Sequence, residues 1–269
     1  MSTTRQLSVR KVSVRQGRFN VELREAGDGP ALLYLHDMAP QRVEEPFLRG
    51  LAERFHVYAP LHPGFGASSG TELIDDPIDT VVFLNDLLDE LQVERAHVVG
   101  HELGGMFAAE FAALSPHRVD RLVLVAPYGL WLEGCQPPDR FATPVRTLPH
   151  LLWHDPESAV AQEYAAHDRP EDPLERQEAT IQRNRALSTG SKFLWPFPDR
   201  GLIKRIHRIQ ARTLLLWGED DGVIPPSCAT AFEAAIPQAR LVTMPGAGHL
   251  PQLERPTEFV EAVTGFLAD

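Results

Sequence analysis

The stretch that most constrains this chain is Val98-Val99-Gly100-His101-Glu102-Leu103-Gly104-Gly105. It begins as an apolar run, turns sharply between glycines, and opens a helical pattern from Met106 to Leu114. The usual strand-turn-helix of this kind reads Gly-x-Ser-x-Gly, with the central side chain held out at the top of a sheet. Glycines flank that residue because the turn leaves no room for side chains beside it. Here the frame is intact, but its central residue is Glu102.

Strand-and-helix alternation surrounds this turn. Leu7 to Val14 and Phe19 to Leu23 alternate apolar with polar residues, as half-buried antiparallel strands do. Ala31 to Leu35 is continuously apolar, the pattern of a strand buried on both faces of a parallel sheet. A helical segment around Val43 to Phe55 leads to strand His56 to Ala59, and Ile78 to Leu91 reads as an amphipathic helix. Strands follow at Ala96 to Val99 and Arg121 to Val125. After a long interruption, further strands follow at Thr213 to Trp217 and Arg240 to Met244. Helices are expected near Ser227 to Ala235 and from Thr257 to Leu267. This order predicts an α/β fold with a mostly parallel central sheet flanked by helices.

The interruption runs from 128 to 206 and holds Trp131, Trp153 and Trp195, several prolines and a helical patch from Glu157 to Ala166. It is too apolar for a disordered linker, so it is read as an inserted helical lid on a core of residues 1–127 and 207–269. With 269 residues, one core with one insertion accounts for the chain. A formal net charge of −11 argues against nucleic acid or an anionic membrane as partner. Met1 to Arg10 lacks an apolar leader, and no run reaches the length of a membrane span. Cys135 and Cys228 lie far apart without metal-ligand spacing, so reduced thiols in a cytoplasmic protein are expected, with a disulfide as the lesser alternative.

Three loops then line up at the carboxyl ends of strands, where ligands bind in open α/β sheets. The elbow carries Glu102, Gly218-Glu219-Asp220-Asp221 carries an acid, and Gly246-Ala247-Gly248-His249 carries a histidine. With His36-Asp37-Met38 and Pro63-Gly64-Phe65-Gly66-Ala67-Ser68, these motifs make the chain resemble the α/β-hydrolase superfamily over nearly its whole length. The resemblance implies His249 as general base, Asp221 as its orienting carboxylate, and oxyanion donors at the backbone N–H groups of Met38 and Leu103. Asp220 is the rival acid, and the Gly-x-x-Asp spacing from Gly218 favours Asp221. His36 and His101 are read as structural, and Lys204, Arg205, His207 and Arg208 as a solvated helix face.

Two residues depart from the pattern: Glu102 stands for serine, and Asp37 for the glycine usual beside the oxyanion hole. A carboxylate beside that hole opposes a developing oxyanion, so serine-type esterase chemistry is disfavoured. Glu102 could be a carboxylate nucleophile, as the aspartate is in haloalkane dehalogenases and epoxide hydrolases, though one methylene longer. In that case Tyr128 or Tyr164 would have to activate an epoxide. Glu102 could instead be a general acid or base with His249, for hydrolysis or a lyase reaction. A metal site from Asp37, Glu102 and His249, with His36, is a weaker alternative. The bland alternative is a silent homologue that binds a small ligand. The expected protein is an enzyme acting on a small, largely apolar molecule without a cofactor, as a monomer or homodimer. Tyr128, Trp131, Trp153 and Trp195 are the candidate pocket lining.

Overall fold

The structure, a computed structural model, describes residues 7–39 and 45–268. Val43, where the first helix was expected to begin, lies outside the described residues, as do the first six residues of the chain.

Eight strands form one sheet in the order β1-β2-β4-β3-β5-β6-β7-β8. β1 (Ser8–Val14) and β2 (Phe19–Ala26) make an antiparallel hairpin, and β2 also runs antiparallel to β4 (His56–Pro60). β3 (Ala31–Leu35), β5 (Ala96–His101), β6 (Val119–Val125), β7 (Arg212–Gly218) and β8 (Ala239–Met244) continue the sheet in parallel. Every residue of β5 is buried, as a central strand covered on both faces must be.

One face packs on α1 (Pro46–Ala52) and α9 (Pro256–Ala268), through Phe47, Leu51, Phe259 and Val263. The other packs on α2 (Pro77–Glu90), α3 (Glu102–Leu114) and α7 (Ser227–Ala235). α2 starts where the Asp76 side chain accepts the N–H groups of Ile78 and Asp79, satisfying two donors that the helix cannot. In α3 every residue except Leu114 is buried, so the helix carrying the elbow sits in the middle of the core.

The chain between β6 and β7 contains α4 (Leu148–Leu152), α5 (Ala159–Asp168) and α6 (Pro173–Leu194). α6 is longer than any helix expected there. Its mean polarity hides it, because only its last turns are buried, at Ala186, Thr189, Gly190, Phe193 and Leu194. Between Pro127 and Thr147 the chain is almost without regular structure.

Two expectations are corrected, the second in part. Cys135 and Cys228 are joined in a disulfide, with Cα atoms 4.6 Å apart across 93 positions of sequence. It ties the irregular segment after β6 to the start of α7, and both cysteines are buried. The sequence separation concealed this pairing, and the cytoplasmic expectation loses the support it drew from reduced thiols. The basic cluster is solvated at Lys204, His207 and Arg208 as expected, but two of its arginines also make specific contacts. Arg205 makes two hydrogen bonds to the buried Glu110 of α3, at 2.8 and 2.5 Å, and Arg208 Nε donates to the Ala113 carbonyl. Among the described residues no helix is long and apolar enough to cross a membrane.

Candidate active site

Glu102 is the first residue of α3 and has φ +52°, a left-handed conformation that costs a side-chain-bearing residue about 1–2 kcal/mol. The elbow holds because its surroundings are over-determined. The N–H of Gly104 donates to the His36 carbonyl, and the N–H of Tyr128 donates to the Glu102 carbonyl. Position one of a helix also favours a carboxylate, because the unpaired N–H groups there carry partial positive charge.

The Glu102 side chain is fully buried, and its two oxygens have different partners. Oε2 accepts the backbone N–H of Met38 at 2.6 Å. Oε1 accepts from the Arg140 guanidinium at 2.6 Å and faces His249 Nε2 at 3.7 Å. The contact with His249 is an ion pair too long for a hydrogen bond, and Nε2 has no hydrogen-bond partner. Burial pushes the Glu102 carboxyl up. The charges of Arg140, His249 and His101 outweigh it and hold the group well below the usual carboxylate range.

His249 Nδ1 meets Asp221 Oδ2 at 2.9 Å, and Asp221 Oδ1 accepts the N–H groups of Val223 and Ile224. Burial would lower the imidazole, but Asp221 and then Glu102 raise it to about 10. His249 is therefore an imidazolium at neutral pH and Glu102 a carboxylate. The stabilisation His249 contributes is complete below its unfolded value near 6.5 and is lost as pH rises through about 10.

Asp220 is paired instead with His154, half-exposed on the surface. His36 and His62 build the wall that presents Met38. His36 Nδ1 donates to the Asp37 carbonyl, and its Nε2 accepts the N–H of His62. Burial lowers both imidazoles, His62 to about 4, so both rings stay neutral and His36 keeps its acceptor. Asp37 accepts the N–H of Ala39 and lies 3.4 Å from His101 Nδ1. His101 Nε2 donates to the His249 carbonyl, which joins the elbow to the histidine loop. Leu103 is buried within the first turn of α3, where N–H groups have no acceptor inside the helix.

The metal alternative finds no support in this arrangement. Among the described residues no three His, Cys, Asp or Glu side chains form a group that could hold a metal. The Arg140 charge beside Oε1 would also repel a cation placed there.

The aromatic candidates separate. Tyr128 and Trp131 line a small cavity of about 30 Å³ together with Arg140, Phe141 and Leu194. Trp153 packs with Tyr164, Ala161 and Leu250, one residue beyond His249. Trp195 is corrected: it is 57% exposed at the end of α6, so it covers the surface and not the site. A separate cavity of about 630 Å³ lies against α6, between Phe65, Leu61, Arg24, Ala179 and Ala186, and no catalytic candidate lines it.

Arg140 is the site residue that sequence reasoning missed. It comes from the irregular segment after β6, 38 positions from its partner, and no motif marks it. Its one local signal is Pro137-Pro138-Asp139 just before it, a turn-forming run that predicts a loop and no contact.

Known proteins resemble the chain along its length. It is 27% identical over 277 residues to a 2-hydroxy-6-oxo-6-phenylhexa-2,4-dienoate hydrolase of Burkholderia cepacia, covering 93% of this chain and 92% of the other. It is 28% identical over 278 residues to a 2-hydroxy-6-oxononadienedioate/2-hydroxy-6-oxononatrienedioate hydrolase of Comamonas testosteroni, with the same coverage. A crystal structure of a meta-cleavage product hydrolase from Pseudomonas fluorescens superposes with a TM-score of 0.80 at 23% identity. The match spans 98% of both chains, a likeness of fold. The profile of the family described as alpha/beta hydrolase fold matches residues 35–256, most of the chain, and the chain belongs to that family.

Proposed function

We propose that this α/β hydrolase cleaves a small, largely apolar electrophile through a carboxylate nucleophile, Glu102, with the insertion between β6 and β7 serving as a lid. The observation that carries this reading is the division of labour between the two Glu102 oxygens. Oε2 sits on the Met38 N–H, and Oε1 faces His249. An ester formed at Oε1 would leave its carbonyl oxygen in place on a hydrogen-bond donor, polarised for attack by water. The relatives named for dienoate hydrolysis support a substrate of modest size.

In the first step Oε1 attacks a saturated carbon, the bond from carbon to the leaving group breaks, and Glu102 becomes a neutral ester. His249 then loses one of the two carboxylates that raise it and gives up its proton with the departing group. As a neutral base oriented by Asp221, it takes a proton from water while the hydroxide adds to the Glu102 carboxyl carbon. The tetrahedral oxyanion forms at Oε2, on the Met38 N–H. Its collapse expels the product alkoxide, which takes the proton from His249. The resulting carboxylic acid then returns a proton to His249 and restores the resting ion pair. Lowering by Arg140 suits the attacking group, since it is already ionised.

The silent, ligand-binding reading draws on one contact, the Arg140 cation that covers Oε1 in this structure. A trap separates the two. His249→Gln, incubated with 1-iodobutane, 1-bromobutane and styrene oxide, is expected to gain the mass of the alkyl group on the peptide containing Glu102. Full-length protein with no adduct on that peptide would favour the silent reading.

A further inference from the structure

We propose that Arg140 is a catalytic residue that receives the leaving group's negative charge, which makes the substrates neutral electrophiles whose leaving group departs as an anion. This rests on the carboxylate-nucleophile reading above. Arg140 is 2.6 Å from Oε1, the oxygen that must attack, because Oε2 is held by Met38. A reacting carbon approaches its nucleophile to about 3–3.5 Å, so the entering substrate must push the guanidinium aside from Oε1. Beside Arg140 lies the small cavity walled by Tyr128, Trp131, Phe141 and Leu194, room into which the guanidinium can turn.

The charges show where the cation is needed next. Before reaction Glu102 and Asp221 are anionic, and Arg140 and His249 are cationic. When the carbon–oxygen bond forms and the bond to the leaving group breaks, one negative charge passes from Glu102 to the leaving group. His249 keeps Asp221 as its partner at 2.9 Å. Arg140 keeps no hydrogen-bonded carboxylate, only the more distant charge of Asp37. Glu102 is its one hydrogen-bonded carboxylate among the described residues, and neighbouring Asp139 uses Oδ1 to cap the N–H groups of Phe141 and Ala142. The cation that loses its hydrogen-bonded carboxylate is thus beside the newly formed anion. A guanidinium carries five N–H donors in a fork, so it can pass from one acceptor to the next without ever being unpaired.

The test reads ester formation on Glu102 by peptide mass in the His249→Gln background, where halides need no proton to depart. Arg140→Gln and Arg140→Lys are compared with unaltered Arg140, using 1-iodobutane, 1-bromobutane and 1-chlorobutane. Loss of one preorganised donor costs on the order of 10²-fold, and chloride, the poorest leaving group, needs it most. Arg140→Gln is expected to slow the chloride by about 10²-fold and the iodide by only a few-fold, with Arg140→Lys recovering much of the difference. An equal change across the three halides, or faster alkylation by all of them, would overturn the proposal and leave Arg140 as a cover, while the alkylated Glu102 still stood. Absence of alkylation with Arg140 intact would instead overturn the nucleophile reading on which the proposal rests.

Discussion

Glu102→Gln is expected to lower turnover by at least about 10⁴-fold, the scale seen when an enzyme loses its nucleophile. The side chains are nearly the same size, so substrate access and the left-handed elbow are retained. What disappears is the charge that attacks. A neutral amide oxygen can still accept the Met38 N–H, but it cannot form an ester at Oε1 and be released again as a carboxylate. Stability falls as well. Removing one partner of a buried ion pair costs about 3–5 kcal/mol, and the Arg140 side chain, 12% exposed, can relieve part of that by turning toward water. Glu102→Asp keeps the charge but draws it back by a methylene, and a displacement near 1 Å costs roughly 10²-fold. Steady-state kinetics beside thermal melts separate the two effects: a large loss of turnover with a folded protein is the expected pair.

Gly104→Ala is expected to destabilise the fold by at least about 3 kcal/mol and to leave little soluble protein. A Cβ on Gly104 would run into the backbone carbonyls of Leu35 and His36, and neither can move. Leu35 ends a central strand, and the His36 carbonyl accepts the N–H of Gly104 itself at 3.1 Å. Flexible side chains yield to overpacking for about 1–3 kcal/mol, but paired backbone has no such freedom. Gly265 provides the contrast. It is exposed in α9 with nothing near its missing Cβ, and alanine there is expected to stabilise by about 0.5–1 kcal/mol. Chemical denaturation of the two variants beside wild type checks both signs.

Gly104 shows why the fold was legible in the sequence. A turn with no space for a Cβ must be spelled with glycine, and buried parallel strands must be continuously apolar. The elbow, β3, β5, β6 and β7 could therefore be read from local pattern alone. Asp221 and His249 were legible for a related reason: each follows the end of a strand, and the topology brings strand ends together. The rest depends on contacts between distant residues. Arg140 reaches Glu102 from a segment without periodicity, and Cys135 reaches Cys228 across the same segment. Arg205 looked like surface charge because its partner, Glu110, sits in an otherwise apolar helix. Trp195 was placed at the site because a lid over the strand ends would bring its tryptophans to a pocket, yet it follows α6 on the outside.

The division of the Glu102 oxygens is tested most directly by following the oxygen of water. Excess enzyme is reacted with 1-iodobutane for a single turnover in water enriched in oxygen-18, and both product and Glu102 peptide are weighed. A carboxylate nucleophile gives butanol its own oxygen, so the first product is unlabelled and oxygen-18 appears in Glu102. Labelled butanol with an unlabelled Glu102 would mean that water attacked the substrate directly, and would contradict the account.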